Sequence, residues 1–303
     1  MSNRKPLRDF ATSWNRRSTH PLKKQLSNLR LDVLLVESGH ARSRKHAADL
    51  IDAQRVFVDG RQARKSSSPV STESQIKILD AIDYVSRAGH KLAKALDAFG
   101  GLEVRDKTAL DVGASTGGFT DVLLRRGAKK VVALDVGHDQ LVPELRAHPN
   151  VIAIEGFNAR DLSFDSLAKA MPEDVKNSEG LVHSIELIVA DLSFISLTLV
   201  LEQFAAIGPK SDMVLLIKPQ FEVGKQSLHA SGIVNDWTLR AGAIRQVVDF
   251  AHDIGLGVRG LVRSELPGTH GNIEYVLWIS PLEPVNRPKW TERIESLAKG
   301  AKA

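Results

Sequence analysis

Four charged side chains stand where a charge is costly or unexpected. Lys91 follows Ser86-Arg87-Ala88-Gly89-His90 at the head of a helical pattern. Asp191 closes the apolar run Leu187-Ile188-Val189-Ala190, Lys218 closes Val214-Leu215-Leu216-Ile217, and Glu274 interrupts a strand pattern over 272–279. Lysines and carboxylates accept, donate and orient protons, and burial or a neighbouring charge tunes how readily they do so. Taken singly, each reads as a solvated strand-end or helix-surface charge; the set of four on converging elements reads as catalytic. The ends of central strands in an open α/β sheet meet at the ligand crevice, so Asp191 and Lys218 can meet there.

A second constellation lies between the first two of these charges. An apolar run enters Leu110-Asp111-Val112-Gly113-Ala114-Ser115-Thr116-Gly117-Gly118-Phe119-Thr120, and a helical pattern follows at once. A glycine-rich turn from strand to helix lets a nucleotide-type ligand approach the backbone. The spacing Gly-x-x-x-Gly-Gly departs from the Gly-x-Gly-x-x-Gly of dinucleotide enzymes, which weakens hydride chemistry. Asp135 ends the next apolar run, Val131-Val132-Ala133-Leu134, where a carboxylate can accept hydrogen bonds from both hydroxyls of a ribose. An acid there serves several nucleosides, but "LDVGASTGGFTDVLL" followed one helix later by "ALDVG" points to S-adenosylmethionine. The expected cofactor contacts are Asp111, Gly113, Ala114, Ser115, Thr116, Gly117, Gly118, Asp135 and Asp191, with Asn158 of Gly156-Phe157-Asn158-Ala159-Arg160 beside the adenine.

The elements that must position these residues form a regular series. Short apolar strand cores at 109–112, 131–134, 151–154, 187–190 and 213–217 alternate with helical patterns. Such strands imply a mostly parallel sheet covered on both faces. A long helix over 236–254 precedes two strands, about 258–262 and 273–279, joined by a Pro-Gly loop and suited to antiparallel pairing. The expected fold is a Rossmann-like seven-stranded α/β sheet.

In front lies a different unit. Leu31, Leu34, Leu35 and Ser38 fall at helical spacing up to Gly39; Ser43 can cap a second helix through Ala47, Ala48, Leu50 and Ile51. Val56-Phe57-Val58, an Asp59-Gly60 turn and a strand near 75–79 complete a small α+β module. The run "RLDVLLVESGHARSRKHAADLIDAQRVFVDGRQARKSSSPV" resembles the S4 RNA-binding domain. Arg42, Arg44 and Lys45 open its second helix, where side chains and free helix N–H groups can meet one phosphate. Charge supports this reading: residues 1–30 hold eight Lys/Arg against one acid, in a chain whose formal net charge is +5. A basic arm suits phosphate contact, and it equally suits a solvated tail.

The segments "SRAGHKL", "LDVGASTGGFT", "VADLSFISL", "LIKPQFEVGK" and "GNIEYVLWI" extend the likeness over about residues 30–280. They resemble the TlyA family, also labelled haemolysin A: S4-linked ribosomal RNA ribose methyltransferases with an FtsJ-like catalytic domain. The resemblance implies methylation of cytidine 2'-oxygens in 16S or 23S rRNA or both. It also implies a Lys-Asp-Lys-Glu tetrad at Lys91, Asp191, Lys218 and Glu274. Lys218 would be the base, Lys91 the neighbouring cation, Asp191 an orienting group beside the methyl, and Glu274 the holder of a lysine. Arg87 joins the expected RNA contacts. The linker reads Ile82-Asp83-Tyr84-Val85 where many actinobacterial relatives carry Arg and Trp.

The expected division is a basic disordered extension (1–29), an S4-like domain (30–80), a linker (81–90), a methyltransferase domain (91–284) and a C-terminal tail (285–303). The absence of cysteine excludes disulfides, thiolate metal sites and the usual route to carbon-5 pyrimidine methylation. His138 and His270 lack partners at metal spacing, so no metal is expected. No apolar run of membrane length appears, so a cytoplasmic protein without membrane partners is expected, and a pore-forming role lacks its segments. Amino-group methylases carry an Asn/Asp-Pro-Pro-aromatic motif where this chain has Asp191-Leu192-Ser193-Phe194. A non-catalytic RNA-binding or assembly protein on the same fold is the reading from another class, opposed by the complete tetrad and turn. The target nucleotide and the oligomeric state are not encoded in any motif.

Overall fold

Strand patterning and turn chemistry place the secondary structure of both units in this computed structural model, which describes residues 28–52, 54–78, 84–175, 177–224, 232–268 and 271–300. Nearly all of the basic extension, with residues 81–83 of the linker and His270, lies outside them. The chain divides into two units, Met1–Leu79 and Asp80–Ala303.

The first unit runs β1 (Asn28–Arg30), α1 (Leu31–Glu37), α2 (Arg44–Asp52), β2 (Val56–Val58), β3 (Arg61–Gln62), β4 (Pro69–Ser71) and β5 (Ile76–Ile78). Gly39, at φ +74°, follows the end of α1, and Ser43 Oγ accepts from the His46 N–H at 3.1 Å to cap α2. Asp59 and Gly60 both have positive φ, 49° and 76°, as the tight β2–β3 turn requires. Leu31, Leu35, Ala47, Leu50, Ile51 and Val56 form the core. Pairing of β1 with β4 has no signal in either short sequence. Buried Asp32 binds Arg30 at 3.0 Å and Arg44 at 2.9 Å, tying the head of α1 to α2. These partners, Arg30 foremost, hold its carboxyl well below the usual carboxylate range.

The second unit opens with α3 (Arg87–Phe99) and continues β6 (Thr108–Val112), α4 (Gly118–Arg125), β7 (Lys130–Leu134), α5 (Pro143–Arg146), β8 (Val151–Ile154), α6 (Phe164–Ala170) and α7 (Ser178–His183). Then come β9 (Ile185–Ala190), α8 (Leu201–Ile207), β10 (Asp212–Ile217), α9 (Pro219–Glu222), α10 (Trp237–Asp253), β11 (Gly257–Arg263), β12 (Tyr275–Ser280) and α11 (Arg287–Lys299). Its seven strands lie in the order β11-β12-β10-β9-β6-β7-β8. Six run in one direction, and β12 alone inserts antiparallel between β10 and β11. Apolar layers cover both faces, which is why β6 is buried at every position. Asp236 caps α10, its Oδ1 accepting from the Thr238 N–H at 2.8 Å.

The C-terminal segment corrects the sequence reading. Residues expected as a tail form α11, which packs on α10 and buries Trp290, Ile294, Leu297 and Ala298 in the main core. Its polar composition hid a narrow apolar stripe. Gly300 closes it at φ +111°.

Candidate active site

The first strand of the sheet, β6, is the topological switch point: the chain goes to β7 on one side and returns to β9 on the other. A crevice must open where those connections part. A cleft of about 500 Å³ lies there, lined by Gly113 and Ser115 after β6, Asp135 and Gln140 after β7, Phe157 and Asn158 after β8, and Asp191 to Ile195 after β9. Gly113 is required twice over. Its φ is +82°, and a Cβ would stand 2.8 Å from the Asp191 carbonyl oxygen.

Asp135 is organised by backbone. Its Oδ2 accepts from the Ser115 N–H at 2.8 Å and its Oδ1 from the Gly137 N–H at 2.7 Å, so both oxygens are fixed while lone pairs remain for a vicinal diol. Asn158 Oδ1 accepts from the Arg160 N–H at 3.0 Å, which leaves its amide nitrogen as a donor. Asp111 is fully buried behind the turn. Its Oδ2 accepts from Thr120 Oγ1 at 2.6 Å, while Oδ1 has no protein partner. Burial, chiefly, with Asp191 nearby, pushes its carboxyl up to about 7.

Of the expected cofactor contacts, Gly113, Ser115, Asp135, Asn158 and Asp191 line the cleft; Asp111, Ala114, Thr116, Gly117 and Gly118 do not. Packing requires two of these glycines. A Cβ on Gly117 would lie 2.3 Å from Leu145 Cδ1, and one on Gly118 would lie 2.2 Å from Ser86 Oγ and 2.9 Å from the Gly89 nitrogen. Close approach of α3 and α4 therefore demands Gly118.

The four charges meet as two pairs. Lys218 Nζ lies 2.7 Å from Asp191 Oδ1 at an angle unsuited to a hydrogen bond, and it donates to Ser193 Oγ at 2.8 Å. Lys91 Nζ donates to Glu274 Oε2 at 2.5 Å, with both side chains buried. Register explains the proximity of the pairs: Ile217 of β10 is opposite Tyr275 of β12, so Lys218 and Glu274 each sit one residue beyond that rung.

The loops after β9 and β10 are joined further. Buried Glu222 accepts from Ser196 Oγ at 2.5 Å and from the Leu197 N–H at 3.0 Å. Burial raises its carboxyl, against the pull of both hydrogen bonds. Phe221 packs on Phe194 with ring centres 5.0 Å apart, and Lys218 Nζ lies 5.9 Å from the Phe221 ring centre. Phe194 is 88% exposed and has φ +64°, a costly backbone for an aromatic residue. Ser193, Phe194 and Gln140 also line the cleft, although no pattern in the sequence assigned them to it and Asp191-Leu192-Ser193-Phe194 served there only as part of a family segment and to exclude another motif. An aromatic residue in a turn directly after a strand-end acid was the available signal.

The expected RNA contacts separate. Arg42, Arg44 and Lys45 are exposed at α2 in the first unit, with Arg44 engaged by Asp32. Arg87 belongs to the second unit and donates to the Pro267 carbonyl oxygen at 3.0 Å. Among the described residues no helix is long and apolar enough to cross a membrane, and no cluster of three His or acidic side chains could hold a metal.

A sheet of this order, with carboxylates gathered at its switch point, is the architecture of methyltransferases that use S-adenosylmethionine. A model of the FtsJ-like methyltransferase family matches residues 84–280, and one of the S4 domain matches residues 29–76. The chain belongs to the FtsJ-like methyltransferase family, within its S4-linked TlyA group. It is 43% identical over 253 residues to the 16S/23S rRNA (cytidine-2'-O)-methyltransferase TlyA of Mycobacterium tuberculosis, covering 82% of this chain and 89% of that one. It is 39% identical to Hemolysin A of Brachyspira hyodysenteriae, covering 82% and 98%. A solved structure, described as a hemolysin from Streptococcus thermophilus, superposes with TM-score 0.65 at 34% identity over 90% of this chain and 96% of that one.

Proposed function

We propose that this protein transfers a methyl group from S-adenosylmethionine to the 2'-hydroxyl of a cytidine in 16S rRNA, 23S rRNA or both. The single observation that carries the reading is the Lys218–Asp191 contact of 2.7 Å beside a cleft built for a nucleoside. The relative in M. tuberculosis, named for that reaction, matches 82% of this chain.

The cleft fits the donor. Asp135 and Asp191 line it, and Asp111 stands behind with an unpartnered Oδ1. Such a wall favours a ligand carrying ammonium and sulfonium charges and disfavours a pyrophosphate. Asp135 would hold the ribose, and Phe157 and Asn158 would border the adenine. Ser115, Gly113 and Asp191 would line the path to the methionine part.

S-adenosylmethionine supplies a methyl already activated on sulfur, whose bond pair stays with sulfur as the new C–O bond forms. The chain therefore has to align a weak nucleophile and take one proton. Lys218, as the neutral amine, accepts the proton of the 2'-hydroxyl. Lys91 orients the hydroxyl; Glu274 fixes Lys91; Asp191 fixes Lys218. Phe194 offers an exposed ring on which an unpaired base can stack. Arg42, Arg44, Lys45 and Arg87 supply phosphate contacts.

The test is transfer of labelled methyl to unmodified ribosomal subunits. The wild type is expected to label RNA, and Lys218→Ala to lose about 10²–10⁴-fold in rate with cofactor binding retained. Full activity in Lys218→Ala removes the base assignment. Cofactor binding without transfer to any subunit favours a non-catalytic assembly protein.

A further inference from the structure

The tetrad leaves one group at Lys218 without a role. Ser193 Oγ accepts from Lys218 Nζ at 2.8 Å, on the same amine that Asp191 Oδ1 approaches to 2.7 Å. Ser193 and Asp191 both line the cleft, and the Phe221 ring lies along a third side of the amine, 5.9 Å away.

We propose that Ser193 is a positioning residue that aims the lone pair of Lys218 at the substrate hydroxyl. The inference rests on the reading of Lys218 as the base. A neutral lysine amine has two hydrogens and one lone pair. A lone amine would rotate freely about its last bond, because three rotamers of a terminal sp³ group are close in energy. Ser193 Oγ takes one hydrogen in a hydrogen bond, and the Asp191 carboxylate, 2.7 Å away, draws the other by charge alone, so both hydrogens are biased to the cleft wall and the lone pair to the remaining tetrahedral direction. One acceptor alone would leave two orientations open. Once the 2'-oxygen has lost its proton to Nζ, the resulting ammonium keeps Ser193 as acceptor and Asp191 as counter-charge, and the third hydrogen is the one just transferred. The amine therefore need not turn during the step.

The hydroxyl is itself held. Ser193 precedes Phe194, whose positive φ fixes the turn, and Phe194 packs on Phe221 of α9. Three residues on, Glu222 fastens the same loop from behind through Ser196 and Leu197. Lys218 and Ser193 therefore sit on two loops that cannot slide independently.

The experiment compares wild type, Ser193→Ala and Ser193→Thr in full-length protein, measuring kcat and both KM values with unmodified ribosomal subunits and labelled S-adenosylmethionine. Ser193→Ala is expected to lower kcat about tenfold, the scale of one hydrogen bond, with both KM values and the melting temperature unchanged. Ser193→Thr, which restores an acceptor on the same Cβ, is expected to recover most of kcat. An unchanged kcat in Ser193→Ala overturns the proposal. So does a loss that Ser193→Thr fails to restore and that comes with raised KM values, since that pattern belongs to a displaced loop. Absence of transfer by the wild type would overturn the methyltransferase reading itself and this inference with it, whereas an active wild type confines any failure to Ser193.

Discussion

At Asp111 burial opposes the charged form of a carboxyl. A carboxyl buried in the sheet and pushed up to about 7 binds a proton more tightly in the folded protein than in the unfolded chain. Its sign follows from linkage: below the ordinary carboxylate pKa both states are protonated and nothing is lost, and stability falls as pH rises toward 7. Asp111→Asn, which can still accept from Thr120, is expected to stabilise the ligand-free protein, with a gain that grows between pH 5 and pH 7. Melting temperatures across that range check it; a gain independent of pH would remove the charge argument. The same residue shows how far single positions were legible. Charges at or within strands announce themselves because apolar runs make them conspicuous, so Asp191, Lys218 and Glu274 stand out, whereas Lys91, on a helix, stands out only as a member of the set. Gly117 and Gly118 could not be sorted from Gly113 in advance, because sequence records the need for a missing Cβ and not which neighbour demands it. Ser193 and Phe194 carried no such contrast with their surroundings.

Among the elements, the loops after β9 and β10 form the working part, and Glu222 is their joint. Removing its carboxylate leaves the buried Leu197 N–H and the Ser196 hydroxyl without their acceptor. Glu222→Ala is therefore expected to lower stability by about 1–3 kcal/mol, measured by denaturant unfolding, and to reduce kcat by loosening Lys218. Glu222→Gln, which keeps an acceptor for Leu197, is expected to lie between. Equal stability of Glu222→Ala and wild type would show the joint to be idle. Strand order and the β10–β12 register matter for the same reason, since they bring Glu274 beside Lys218 from 56 residues further along the chain. Periodicity gave the strands themselves and suggested the antiparallel end of the sheet. The insertion of β12 between β10 and β11 depends on pairing partners that no local pattern names.

At the scale of the whole molecule, the chain joins an S4 unit to a methyltransferase unit, and α11 completes the second. Segments of low hydrophobicity at chain ends read as tails, yet α11 needs only Trp290, Ile294, Leu297 and Ala298 to close the core over α10. Trp290→Ala is expected to destabilise by about 3–5 kcal/mol, read as a lower unfolding midpoint. A loss under about 1 kcal/mol would mean that α11 is dispensable packing. Substrate class is also a whole-molecule property: a basic N-terminal region and an S4 unit suit RNA, while the cleft alone would suit many acceptors. The most direct measurement is identification of the labelled nucleoside after digesting RNA from ribosomal subunits methylated by the wild type and by Lys218→Ala. Label in 2'-O-methylcytidine that disappears in the variant is the expected result. Label on a base, or label unchanged in the variant, would contradict the account.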